Sequence, residues 1–216
     1  MKGWLGAMVC AMALGIASRA GADVDGDFSL SIGYSHLHID GAQRFEDRDG
    51  VRLEPRVSFG FFDKLPELRL GFGLGISGYA HELDSDTIIT IDNGHDVETI
   101  HADDWEGISV LEPEFQISWR QTFGGDHRWY IEPGVGLGAA IANYYIADDF
   151  WWSDSHDNEW DSTFEARPFI RAGYQGDRWL FGLEGSYMFG GNVDLTDQVQ
   201  GDLSEWYVGG FFGVRW

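Results

Sequence analysis

Along residues 51–62, "VRLEPRVSFGFF", apolar and polar side chains alternate. Val51, Leu53, Val57, Phe59 and Phe61 share one parity; Arg52, Glu54, Arg56, Ser58 and Gly60 share the other. A period of two is the signature of a strand with one apolar and one polar face. The pattern recurs in eight runs, at 27–38, 51–62, 67–80, 107–121, 128–146, 162–174, 178–189 and 205–216, while helical periodicity is nearly absent. Their connections alternate in length: short at 63–66, 122–127 and 175–177, long and polar at 39–50, 81–106, 147–161 and 190–204. Short turns at one end and long loops at the other predict an all-β fold, a transmembrane up-and-down antiparallel β-barrel of eight strands.

The charged residues decide which face meets which medium. Arg52, Arg56, Arg69, Arg120, Arg128, Arg167, Arg171, Arg178 and Arg215 fall in the predicted strands at the parity opposite to the apolar set. Glu54, Glu67, Glu112, Glu114, Glu132, Glu165, Glu184 and Glu205 share that polar parity, whereas aspartate is expected only in loops, turns and strand ends. Past the first two dozen residues the chain has a single lysine, Lys64, in a turn. A water-facing sheet would accept lysine as readily as arginine, but a crowded interior favours the planar guanidinium, which grips carboxylates bidentately. The expectation is an interior ion-pair network of Arg52, Glu54, Arg56, Glu67, Arg69, Glu112, Glu114, Arg120, Arg128, Glu132, Glu165, Arg167, Arg171 and Glu184, with the apolar parity facing hydrocarbon. Gly71, Gly73, Gly75, Gly134, Gly136 and Gly138 share the inward parity and make room for long arginines.

Aromatic residues add a second pattern. Trp119, Trp129, Tyr174, Trp179 and Trp216, with Phe28, take the outward parity beside short turns or chain ends, and Tyr34, Phe164, Tyr187 and Trp206 do so near the long loops. Two such rings are the girdles expected at two membrane interfaces. Pro55, Pro113, Pro133 and Pro168 interrupt four strands, all with outward parity. Proline cannot donate to a ladder, so each should fall at a bulge or where the N–H would not pair.

The first residues form a separate unit. Lys2, the apolar run "WLGAMVCAMALGIA" and "SRAGA" make residues 1–22 a secretory signal peptide, with residues 23–216 as the barrel domain. The run is shorter than the roughly 20 residues a spanning helix needs. Cys10, the only cysteine, lies inside it, so no disulfide is expected. Processing removes Lys2 and Arg19 and no acid, which takes the formal charge of −22 to −24. That balance argues against nucleic acid as a partner.

The last run, "WYVGGFFGVRW", alternates Trp206, Val208, Gly210, Phe212 and Val214 to a terminal Trp216. It resembles the C-terminal signature read by the barrel-assembly machinery. With "WYIEPGVGLGAAIANYY" and "RPFIRAGY", residues 23–216 are similar to small eight-stranded outer-membrane barrels of the OmpA transmembrane-domain, OmpX and OmpW type. The resemblance implies the cell outer membrane, its lipid and lipopolysaccharide as surroundings, and a monomer. It departs from OmpA itself in having no periplasmic peptidoglycan-binding domain. OmpW-like relatives are proposed to pass small apolar solutes through a lateral opening, which would need an apolar inner lining; the inner face read here is mostly Arg, Glu, Gly and Ser.

An eight-stranded barrel is just wide enough for its own side chains, so a wide pore is not expected, while a narrow path for ions or small solutes stays open. The four long loops carry net charges of −2, −9, −6 and −3. The second holds His81, Asp84, Asp86, His95, Asp96, His101 and Asp103 without fixed ligand spacing, so divalent cations or a surface ligand at the loops are the expectation rather than a dedicated metal site or cofactor. Phe150, Trp151, Trp152 and Trp160 lie among acids in the third loop, a composition suited to contact with a partner or glycan. An outer-membrane lipid acyl hydrolase or transferase is the remaining alternative, but Ser35 and His36 point to opposite faces, so no enzyme is expected. The preferred reading is a structural or surface-interacting barrel.

Overall fold

The structure, a computed structural model, describes residues 25–42, 45, 47–60, 65–82, 89–92, 97–100, 105–125, 128–147, 155–196 and 198–216. The predicted signal peptide with Cys10, the turn residue Lys64, Asp84, Asp86, His95, Asp96, His101 and Asp103 of the second loop, and Phe150, Trp151 and Trp152 of the third lie outside the described residues.

Strands run in chain order as β1 (Asp25–Asp40), β2 (Asp47–Gly60), β3 (Leu68–Glu82), β4 (Ile89–Asp92), β5 (Val97–Ile100), β6 (Trp105–Trp119), β7 (Gln121–Phe123), β8 (Trp129–Ala147), β9 (Ser155–Gln175), β10 (Trp179–Thr196) and β11 (Val199–Arg215). Strands β4 and β5 form a separate hairpin, and β7 continues β6 beyond Arg120. The other eight close into a cylinder in which each stave pairs with two antiparallel neighbours; β1 pairs with β11, and β6 with β8.

The polarity of the wall follows the alternation but changes phase along it. In the lower part Leu30, Ile32, Phe115, Ile117, Ile131, Phe181, Leu183 and Phe212 stand on the exposed outside. Trp179 and Tyr187 bound this band on β10, eight positions apart. At ~3.3 Å rise and ~40° tilt that is a height of about 20 Å, as an apolar belt between aromatic girdles requires. Higher up the phase inverts. Leu37, Ile39, Ile108, Val110, Ala140, Ala142, Val193, Leu195 and Leu203 point inward and are buried, while His36, His38, Asp40, Asp194 and Asp202 occupy the outside. Once the outer medium is water rather than hydrocarbon, the apolar face must turn inward, as in a soluble barrel.

This inversion corrects two expectations. The inner face is not polar throughout; its upper end is an apolar core. The strands also overrun the predicted limits, since β9 begins at Ser155 rather than 162, and the predicted loop 190–204 is largely the β10–β11 hairpin, closed by the pairing of Thr196 with Val199. A register shift between Phe189 and Asn192, at Gly190 and Gly191, breaks the alternation there and disguises the strand as a loop.

The four prolines fall where a rung is missing. Pairing of β2 with β3 passes from Leu53–Ile76 to Arg56–Gly73, leaving out Pro55. That of β6 with β8 passes from Leu111–Ile141 to Glu114–Gly138, leaving out Pro113. That of β9 with β10 passes from Phe169–Ser186 to Ala166–Phe189, leaving out Pro168. Pro133 faces the break between β6 and β7 at Arg120. Each proline keeps its neighbour on the other side, and the register is unchanged across every gap.

Candidate functional site

The bore of the cylinder is packed in three charged tiers beneath the apolar core. In the lowest, Asp27 Oδ2 accepts from Arg69 Nη2 and Arg120 Nη1, each at 2.8 Å. Arg120 Nε reaches Glu132 Oε2 at 2.7 Å, and the other oxygen of Glu132 accepts from Ser118. The Arg120 guanidinium lies 4.8 Å over the Tyr130 ring, which packs with Leu180 and Phe211 as a small apolar floor. In the middle tier Arg56 Nη2 bridges Glu54 (2.6 Å) and Glu184 (2.7 Å). Arg171 contacts Glu184 at 3.2 Å, donates to Ser29 Oγ, and sits 3.9 Å over Phe211.

The uppermost tier gathers Arg52 and Arg167 among Glu112, Glu114, Glu165 and Glu205. Both arginines pair with Glu112; Arg167 Nε lies 2.9 Å from Glu114 and Arg52 Nη1 3.4 Å from Glu205. Both arginine side chains are fully buried. Glu165 is the outlier: its nearest cation is Arg167 Nη2 at 3.9 Å, and neither of its oxygens has a hydrogen-bond partner among the described residues.

Twelve of the fourteen predicted network residues line this bore. Arg52, Glu54, Arg56, Arg69, Glu112, Glu114, Arg120, Glu132, Glu165, Arg167, Arg171 and Glu184 are all buried. Two are not part of it. Glu67 sits half-buried in the turn before β3, where its carbonyl accepts from Arg120 N. Arg128 is exposed at the lower rim and donates to the Tyr174 hydroxyl. Both hold the inward parity, but the bore opens to solvent at that height. Arg178, expected in a strand, likewise lies in the turn before β10.

Asp27 is the residue that alternation missed. It is a fully buried aspartate within β1, at the inward parity of Ser29 and Ser31, and its short side chain clamps two arginines between strands. Its parity was the available signal.

The inward glycines supply the room that the guanidinium groups occupy. A methyl at Gly75 would meet Arg52 and Glu112, and one at Gly136 would meet Glu114. Gly75→Val is therefore expected to destabilise the barrel by about 1–3 kcal/mol through overpacking, read as a lower urea midpoint in lipid vesicles. Trp119, Trp129, Trp179 and Trp216 are exposed on the outer wall at the lower end, and Tyr174 is half-buried between Trp129 and Phe181, with ring centroids 5.3 and 5.6 Å away. Tyr34 and Trp206 pair at 5.0 Å at the upper boundary.

Above that boundary the outer wall is polar. Asp47 accepts from His38 and Asp49 from Tyr34 and His36. These hydrogen bonds, His38's to Asp47 and Tyr34's to Asp49 foremost, hold both carboxyls below the usual aspartate range. Ser35 is fully buried inside the wall while His36 stands outside it, so the two cannot act as a nucleophile–base pair.

No family model and no curated protein sequence matches the chain. Among solved structures it is similar to Neisserial surface protein A, with a TM-score of 0.53 at 9% identity, over 88% of this chain and 97% of that one. Ail, the attachment invasion locus protein of Yersinia pestis, solved with the heparin analogue sucrose octasulfate, gives 0.46 at 12% identity over 89% and 99%. The outer membrane protease OmpT from Escherichia coli gives 0.40 at 8% identity over 91% and 98%. The fold is that of small outer-membrane β-barrels. At these identities the likeness ends with the fold, and proteins that share it differ in function.

Proposed function

We propose that this protein is a monomeric outer-membrane barrel that does not conduct through its bore and acts at its outer rim and loops, as a structural or surface-interacting component of the envelope. The observation that carries this reading is the filled interior: an aromatic floor, three tiers of paired ions, and an apolar core of Leu37, Ile39, Ile108, Met188, Val193 and Leu203 stacked above them. Ions would have to cross the buried charges and then a plug that is apolar apart from a few buried polar groups, Glu106 with the Tyr144 hydroxyl among them. The apolar upper lining is the kind an apolar-solute path would need, but it ends on the charged tiers beneath. The acidic loops suit divalent cations bridging to lipopolysaccharide, and the last strand suits the barrel-assembly machinery. The reading is non-catalytic, in keeping with Ser35 and His36 on opposite sides of the wall.

Planar-bilayer recording tests it. The purified barrel is expected to give no reproducible open levels. Stable levels that change with Arg52→Ala or Arg56→Ala would show the charged tiers to be a conduction path.

A further inference from the structure

The lipid-facing wall has a hollow in it. Gly210 holds the outward parity of β11 but carries no side chain, and a Cβ there would meet only the Gly182 carbonyl oxygen, at 3.7 Å. Its cross-strand partners are Leu183 on β10 and Ile32 on β1, and Ile32 pairs in turn with Leu53 on β2; the rung beneath is Phe181, Phe212 and Leu30. These residues line a groove of about 670 Å³. At ~3.3 Å rise and ~40° tilt, Gly210 lies about 10 Å below Trp206 of the upper girdle and about 15 Å above Trp216 of the lower one. The groove therefore belongs to the upper, outer-leaflet half of the apolar belt.

Three of the same strands carry charge at headgroup height. His36, His38 and Asp40 on β1, Asp49 and Asp47 on β2, and Asp202 on β11 stand outward just above the Tyr34–Trp206 pair. Farther around the cylinder the corresponding outward positions are Gly78 and Ala80 on β3 and Ser109 on β6. Four carboxylates against two imidazoles leave the sector above the groove negative whichever way the imidazoles titrate. The contacts of Asp47 and Asp49 with His36, His38 and Tyr34 all use Oδ1, and their side chains are 57% and 69% exposed. A headgroup beside them must donate hydrogen bonds: an ammonium is attracted and a bare phosphate repelled.

We propose that the groove and the acidic sector form one site for an outer-leaflet lipid with an ammonium-bearing headgroup, an acyl chain lying over Gly210 and the ammonium on Asp47 and Asp49. The proposal rests on the reading of the protein as a membrane-embedded barrel. Inside a bilayer no hydrophobic force prefers one patch of wall to another, so packing decides where a chain settles. A chain in the groove touches a floor and two flanks, whereas on a flat wall it touches one side. The groove thus fixes the chain, and the carboxylates select the headgroup.

The test is native mass spectrometry of the full barrel released from nanodiscs made of phosphatidylethanolamine and phosphatidylglycerol in equal amounts. A single phosphatidylethanolamine is expected to stay bound, preferred over phosphatidylglycerol by about five-fold, the scale of a partly exposed ion pair. Gly210→Phe, whose side chain enters open space, fills the groove and should strip the retained lipid. The double variant Asp47→Asn/Asp49→Asn should lose the preference and hold either lipid. Independently of any variant, phosphatidylethanolamine with a mid-chain diazirine should label Ile32 and Leu183 in excess of Phe115 and Ile117, which are exposed on β6 across the cylinder. Equal retention of both lipids by the unaltered barrel, retention unchanged in Gly210→Phe, a preference that survives the double variant, or even labelling around the wall would each overturn the proposal. Any of these in a barrel that enters nanodiscs leaves the membrane reading standing; failure to enter them removes both.

Discussion

Arg167→Ala is expected to lower the unfolding free energy by about 3–5 kcal/mol, the range for removing one partner of a buried ion pair. Among the described residues, Arg167 and Arg52 are the arginines of a tier that holds Glu112, Glu114, Glu165 and Glu205, and Arg167 lies within 4 Å of all four carboxylates. Without it, four carboxylates share one guanidinium in a space that water does not reach. The loss is charge-specific, which a second substitution exposes. Glu165 makes no hydrogen bond through either oxygen, so Glu165→Gln alone should change stability little. In the Arg167→Ala background the same change should recover part of the loss, because it removes one of the unbalanced charges. Urea unfolding in lipid vesicles, followed by tryptophan fluorescence, gives all four corners of the cycle. Additive effects would mean that Glu165 does not act as a charge in this tier.

Leu183→Arg is expected to cost about 2–4 kcal/mol, the penalty for arginine at the bilayer midplane of a barrel. Leu183 is 68% exposed and lies halfway between Trp179 and Tyr187 on β10, opposite Gly210. A soluble protein would treat an exposed leucine in the opposite way, and a charged replacement would stay within about 0.5 kcal/mol of neutral. Asp202→Arg, on the outer wall above the aromatic boundary, supplies that contrast within the same barrel and should be nearly silent. The pair of measurements locates the edge of the hydrocarbon. Equal effects at the two positions would place both in water.

Much of this architecture was legible in the chain because a strand's period of two ties each side chain to one face. Arg52, Glu54 and Arg56 could be placed inside, and Val51 and Leu53 outside, from three turns of the alternation alone. What escaped was everything that depends on a change of medium along one strand. On β1 the inward residues pass from Ser29 and Ser31 to Leu37 and Ile39, and the outward ones from Leu30 and Ile32 to His36 and His38. The period continues while its meaning reverses, so a reading that assumes one solvent per strand stops at the crossing. Asp27 was lost to a generalisation about aspartate, and Arg128 to parity applied where the bore has already opened. The His–Asp patch could not be seen at all, since it depends on register: only the pairing of β1 with β2 sets Asp47 against His38 and Asp49 against His36.

The ion pairs that fill the bore join distant parts of the polypeptide. Arg52 reaches Glu205, Arg56 reaches Glu184, and Ser29 on the first stave meets Arg171. During synthesis Arg52 and Arg56 therefore lack Glu205 and Glu184 until the final third of the chain arrives, although Asp27 already has Arg69 and Arg120, and Arg56 has Glu54. A copy truncated before β11 would lack Glu205 and leave the wall open between β10 and β1, exposing the ion-paired bore to hydrocarbon. The closed bore, with the long-range pairs of every tier made, is thereby expected only once the last stave is in place.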